Sequence, residues 1–165
     1  MRVYLPATLA MLTELNSGGL FQPVSGTGFA LTPALRGRYT AGDDEELAEV
    51  AIREAARASL RLLSAETEGT LPPRRVVVAA DVPDVTLRPD LDDAVVRLTA
   101  AVPRTAVASV LVDGADAEDA VRAAMTAIDA ADLGDEDASF AIGDVEDFDL
   151  GWYATQELPF LLELL

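Results

Sequence analysis

The sequence predicts an α/β domain: a mixed sheet of about five strands flanked by helices. Three observations carry that reading. Residues Asp43 to Asp81 read as one long amphipathic helix, a short loop and the most apolar strand in the chain. A second, nearly all-apolar strand runs from Ala106 to Val112. Beyond Asp116, the positions Ala117, Ala120, Val121, Ala124, Ile128 and Ala131 keep the 3.6-residue period of a helix laid on a sheet. With 165 residues, half of them apolar, and neither repeat nor linker, one domain over residues 1–165 with a C-terminal apolar helix is expected.

Taken in order, Arg2-Val3-Tyr4-Leu5 reads as a first strand, and Pro6 to Leu15 as a helix with Leu9, Leu12 and Leu15 on one face. Asn16-Ser17-Gly18-Gly19 ends it, since glycine accepts the left-handed conformation that closes many helices. Ser25-Gly26-Thr27-Gly28 precedes the strand Phe29-Ala30-Leu31 rather than a helix and has no Walker lysine, so it reads as a turn and not a phosphate cradle. Thr32-Pro33 starts a short helix through Tyr39 that carries Arg36 and Arg38.

The long helix, Asp44 to Ser64, opens with Asp43 as cap, Glu46 three residues on, and four carboxylates facing the positive end of the dipole. Leu47, Val50, Ala51, Ala55, Ala58 and Leu62 recur at helical spacing, and Ile52, Leu60 and Leu63 widen the stripe until more than one neighbour must cover it. Its polar face is a ladder of Glu45, Glu49, Arg53, Arg57 and Arg61 at intervals of four. Such a ladder is ordinary solvated-helix chemistry; three guanidiniums on one face also make Arg53, Arg57 and Arg61 candidates for holding phosphate or carboxylate.

After Gly69 and Pro72-Pro73, the β-branched run from Arg74 to Asp81 suits a strand covered on both faces in the middle of the sheet. Val82 to Asp93 is a Pro- and Asp-rich loop, Ala94 to Thr99 a strand, and Pro103-Arg104 a turn, so 94–99 and 106–112 are expected to pair antiparallel. Asp116 is the expected cap of the next helix. Ala138 to Ile142 reads as a last short strand, followed by the acidic turn Asp144 to Asp149. From Leu150 to Leu165, the residues Leu150, Ala154, Leu158, Leu161 and Leu165 share one helical face with a break near Pro159. That face must be covered, by the chain's own core or by a partner, which makes Leu158, Leu161 and Leu165 candidate interface residues for a homodimer or another protein.

Chemistry is bounded mainly by what is missing. A formal charge of −17 repels nucleic acid and anionic membrane surfaces. There is no cysteine, hence no disulfide framework or thiolate, and no histidine, the commonest general base and zinc ligand. All basic side chains are arginine. Carboxylates, arginine, tyrosine and hydroxyls remain. Nothing near Leu9 to Leu12 resembles a targeting signal, and no segment approaches the roughly 20 apolar residues of a membrane span, so a cytoplasmic protein is expected. Asp81 and Asp84 follow one strand, Asp113 and Asp116 another. If those strands ran parallel, the four carboxylates could share a Mg²⁺ at one sheet edge, with Tyr4, Tyr39, Arg36 and Arg38 as possible complements. If antiparallel, the pairs fall at opposite edges.

The segments Met1 to Thr8, Phe29 to Leu35, Ala55 to Leu63, Arg74 to Val82 and Trp152 to Glu157 together resemble a family of short uncharacterised actinobacterial proteins. The resemblance implies a bacterial cytosolic protein standing alone at this length, with no activity, cofactor or catalytic residue to carry over. A GC-rich genome also favours arginine and alanine over lysine. The leading expectation is therefore a small non-enzymatic protein that self-associates or binds a protein partner through its C-terminal apolar segment. The alternatives are a Mg²⁺-dependent enzyme acting on a phosphorylated small molecule and an anion-binding module built on the arginine stripe.

Overall fold

The computed structural model describes residues 1–66 and 69–165. Residues Arg2–Ala7 form β1, with Val3, Leu5 and Ala7 fully buried on one face. The Thr8 hydroxyl then accepts from the Met11 amide and starts α1 (Leu9–Gly18), whose Leu9, Leu12 and Leu15 are buried. Gly19, at φ 72°, closes it by donating to the Leu15 carbonyl at 2.9 Å. After β2 (Leu20–Phe21), the turn read at residues 25–28 is confined to Val24–Gly26; Thr27 and Gly28 already belong to β3 (Thr27–Phe29), which pairs with the strand at residues 95–97 and ends before Ala30 and Leu31. Gly26 is required there: its φ is +68°, and a Cβ would collide with the Leu98 carbonyl. Thr32 caps α2 (Pro33–Arg38) through the Leu35 amide.

Asp43 caps α3 (Asp44–Ala65) by accepting from the Glu46 amide at 2.9 Å. Residues 67 and 68, within the expected loop after α3, lie outside the described residues. Further on come β4 (Val76–Asp81), β5 (Thr86–Leu87), β6 (Val95–Arg97), β7 (Val102–Pro103) and β8 (Val107–Val112). The chain ends with α4 (Glu118–Asp132), α5 (Glu136–Glu146), β9 (Gly151–Ala154) and α6 (Leu158–Glu163).

These elements build the expected α/β domain, around a wider sheet. Its order is β5-β6-β3-β1-β4-β8-β9, and every adjacent pair is antiparallel, with β2 and β7 in a separate two-stranded ladder. One face carries α1 and α6, where Leu12, Leu15, Leu158 and Leu161 pack on Leu5, Val78 and Val110. The other carries α2 and α3, over Phe29, Val77 and Val95, while α4 and α5 pack against the end of α3 through Leu60, Leu63, Val121, Ile128, Ile142 and Val145. Ser59, fully buried in α3, donates to the Ala7 carbonyl at 2.7 Å and accepts from the Val76 amide at 3.0 Å. It pins the helix to the end of β1 and the start of β4, satisfying two buried backbone groups.

Four local expectations are corrected. Segments 94–99 and 106–112 do not pair: β6 joins β3, with the Leu98 amide donating to the Gly26 carbonyl at 2.7 Å, and β3, β1 and β4 separate it from β8. Residues 138–142 are helical, not a strand, because Asp135 caps the Ala138 amide and Ile142 and Val145 face α4 at helical spacing. The final segment is a strand followed by a helix: Gly151–Ala154 pairs with β8, and Pro159 sits in the first turn of α6, where its missing N–H costs nothing. Asp116 lies in a 3₁₀ turn before α4 and does not cap it.

Candidate functional site

The ladder on α3 and the chain after α5 enclose a cleft of about 410 Å³. One wall is α3, with Glu49 and Arg53 exposed, Ile52 and Arg57 half-buried, and Ala56 and Leu60 buried beneath them. The floor is Leu111 of β8, and Glu146, Phe148, Asp149 and Leu150 close the opposite side. Trp152 is the cross-strand partner of Leu111, so both side chains lie on the same sheet face, and the indole stands at the sheet edge with 64% of its surface exposed.

Arg75 reaches this cleft from just before β4. Its side chain is 5% exposed, and it is held by fully buried Asp113. Nε donates to Oδ2 and Nη2 to Oδ1, each at 2.8 Å; Nη2 also donates to the Phe148 carbonyl, and the Arg75 amide to Oδ2. Strand pairing dictates this meeting, because Val76 lies opposite Val112 and brings residues 75 and 113 side by side. The pair anchors the chain after α5 to the sheet and was invisible in the sequence, where the two residues are 38 apart.

The arginine stripe binds a carboxylate, and it belongs to the same chain. Arg57 Nη2 lies 3.0 Å and Arg61 Nε 2.7 Å from Asp132, at the end of α4. Hydrogen bonding to Arg61 is the main reason that the Asp132 carboxyl is held down at about 2, with Arg57 adding to it. Arg53 has no acidic partner among the described residues. Glu54, half-buried on the same helix, is shifted the other way: burial raises its pKa and nearby Asp92 adds to the effect, against Arg57 and Arg61.

The four aspartates considered for Mg²⁺ do not converge. Because β4 and β8 are antiparallel, Asp81 and Asp84 belong to one sheet edge and Asp113 and Asp116 to the other. Asp81 pairs with Arg2 at 2.7 Å, Asp113 is consumed by Arg75, and Asp84 and Asp116 are exposed. Among the described residues no three carboxylates are grouped as a metal site. Tyr4, whose pKa burial raises, faces a different part of the sheet; Arg36 is occupied by Asp44 and the Gly42 carbonyl, and Arg38 by Asp93 at 2.5 Å. Of the candidate interface residues, Leu158 and Leu161 are 0% and 6% exposed and pack in the core, and Leu165 packs against its border. The exposed apolar side chains of the final segment are instead Trp152, Phe160 and Leu164. Sequence periodicity missed them because it treated 150–165 as one helix.

A family described as a family of unknown function, DUF6912, matches residues 1–162. The chain belongs to that family. Neither curated proteins nor solved structures give a match. DUF6912 therefore covers essentially the whole α/β domain, from β1 through α6, and brings no activity with it. Among the described residues, no helix of this DUF6912 chain is long and apolar enough to cross a membrane.

Proposed function

We propose that the chain is a non-enzymatic binding protein that takes up an extended, basic segment of a partner protein along the outer side of β9. The observation that carries this reading is the free strand edge that ends the seven-stranded sheet, with exposed Trp152 standing on it. An edge strand presents unpaired N–H and C=O groups to any extended chain, and proteins use this mode to bind peptides. Phe160 on α6, 68% exposed, and Leu164 just beyond it, 85% exposed, add apolar surface.

Charge selects the occupant. No basic residue follows Arg122, while Asp144, Glu146, Asp147, Asp149, Glu157 and Glu163 flank β9 and α6 in sequence. A second copy would bring together two chains of −17 each, whereas a basic segment is drawn in. The missing histidine, cysteine and lysine support a binding role over catalysis.

Trp152 is the sole tryptophan and reports directly on this edge. Titration with an alternating Lys-Val peptide should change its emission saturably, with affinity falling as salt is raised. An alternating Glu-Val peptide should leave it unchanged. Equal responses to both, or none to either, would overturn the proposal; a solution mass above 17.4 kDa without peptide would give the edge to a second copy instead.

A further inference from the structure

The cleft between α3 and the chain after α5 has a composition that β9 recognition does not use, and we propose that it is a binding site for a small zwitterion with an apolar body, a free amino acid or dipeptide carrying a branched or aromatic side chain. Its volume of about 410 Å³ falls within the range of small-molecule sites. Its apolar surface comes from Ile52, Leu60, Leu111, Phe148 and Leu150.

The cationic side is set by Arg53 and Arg75. Of the five guanidinium N–H groups of Arg75, Asp113 and the Phe148 carbonyl take three, on Nε and Nη2. Nη1 has no protein partner among the described residues. It is not fully buried either, since Arg97 Nε is the one fully buried side-chain nitrogen left unpartnered there. Arg75 lines the cleft, and a ligand carboxylate there would take the N–H donors of this accessible Nη1 on a rigid, almost buried guanidinium. Arg53, exposed and without an acidic partner, stands on the α3 wall. A carboxylate between the two would gain charge-assisted hydrogen bonds without displacing any internal ion pair.

Glu146 and Asp149 on the opposite side, with Glu49 on α3, decide against a simple anion. Phosphate would meet three carboxylates, and a simple cation would meet Arg53 and Arg75. A molecule carrying both charges on one apolar frame places its ammonium towards Glu146 and Asp149, its carboxylate towards Arg53 and Arg75, and its side chain over Leu111 and Phe148.

The test is calorimetric titration of the full chain, with Trp152 emission in parallel, using L-leucine, L-phenylalanine and a Leu-Phe dipeptide. N-acetyl-leucine, leucinamide and inorganic phosphate serve as probes lacking one charge or the apolar body, all at matched ionic strength. Saturable binding of a free zwitterion is expected, with loss of either charge weakening it about tenfold or more. Arg53→Gln should weaken it similarly, and Glu146→Gln should remove the discrimination against the acetylated form. Both residues are exposed, so the variants keep the fold. Absence of zwitterion binding, phosphate binding as tightly, or an unchanged Arg53→Gln would overturn the proposal. Arg53→Gln should leave the Lys-Val peptide response intact, which separates failure here from failure at β9.

Discussion

Two arginine–aspartate clusters border the same cleft with the same chemistry in different surroundings. Arg75 and Asp113 have 5% and 0% side-chain exposure and exchange several hydrogen bonds with each other and the backbone. Arg57, Arg61 and Asp132 retain between 31% and 40% of theirs. In the buried pair, desolvation offsets much of the attraction, so its net contribution is small although losing one partner is severe. The half-exposed cluster keeps its ions hydrated and screened, so neither its gain nor its loss is large. Geometry alone ranks the two alike; burial separates them.

The largest effect should come from Asp113→Ala, which strands a buried guanidinium and should cost about 3–5 kcal/mol in urea denaturation. An Arg75→Met, Asp113→Leu double variant should recover most of that loss. If it were as unstable as the single variant, the pair would be a strong net stabiliser and the contrast would fail.

Asp132→Asn should cost about 1 kcal/mol at neutral pH, the scale of a partly exposed ion pair. The pH dependence has a definite sign. Because Asp132 titrates lower folded than unfolded, its contribution is complete above about pH 4 and lost as pH falls towards about 2, so wild type and variant should converge over that window. A difference that persisted unchanged at pH 2 would mean that the carboxylate's charge is not what Arg57 and Arg61 hold.

Glu54→Gln should give the smallest effect, of opposite sign. Its folded pKa is raised by burial, so ionising Glu54 opposes folding, and the variant should be slightly more stable at neutral pH and indistinguishable in acid, where Glu54 is protonated. A destabilised variant would reveal a partner for the Glu54 carboxylate.

The same contrast explains what could be read from the chain. Asp43, Thr32 and Gly19 act within a few residues of themselves, so their caps follow from local chemistry, as do α3 and the apolar strands β4 and β8. The arginine ladder was visible for the same reason, but its carboxylate, Asp132, lies 71 residues from Arg61. Arg75 reads as a strand flank and Asp113 as a turn residue until β4 and β8 are set antiparallel. Strand neighbours likewise depend on contacts distant in sequence: β6 and β8 are separated by a short connection but pair elsewhere. In residues 138–142, a short apolar run between acids fits strand and helix equally until the Asp135 cap and α4 decide it. The C-terminal leucines were misassigned because one helical period was laid over residues 150–165, where a strand ends at Ala154 and a separate short helix starts at Leu158.

Amide hydrogen exchange in β9 distinguishes strand addition from diffuse attraction. Adding the Lys-Val peptide should slow exchange at the outward-facing amides of Gly151–Ala154 while the rest of the acidic surface exchanges as before, because a new strand protects backbone groups and diffuse attraction does not. Binding without added protection in β9, or protection spread over α4 and α5 instead, would contradict strand addition.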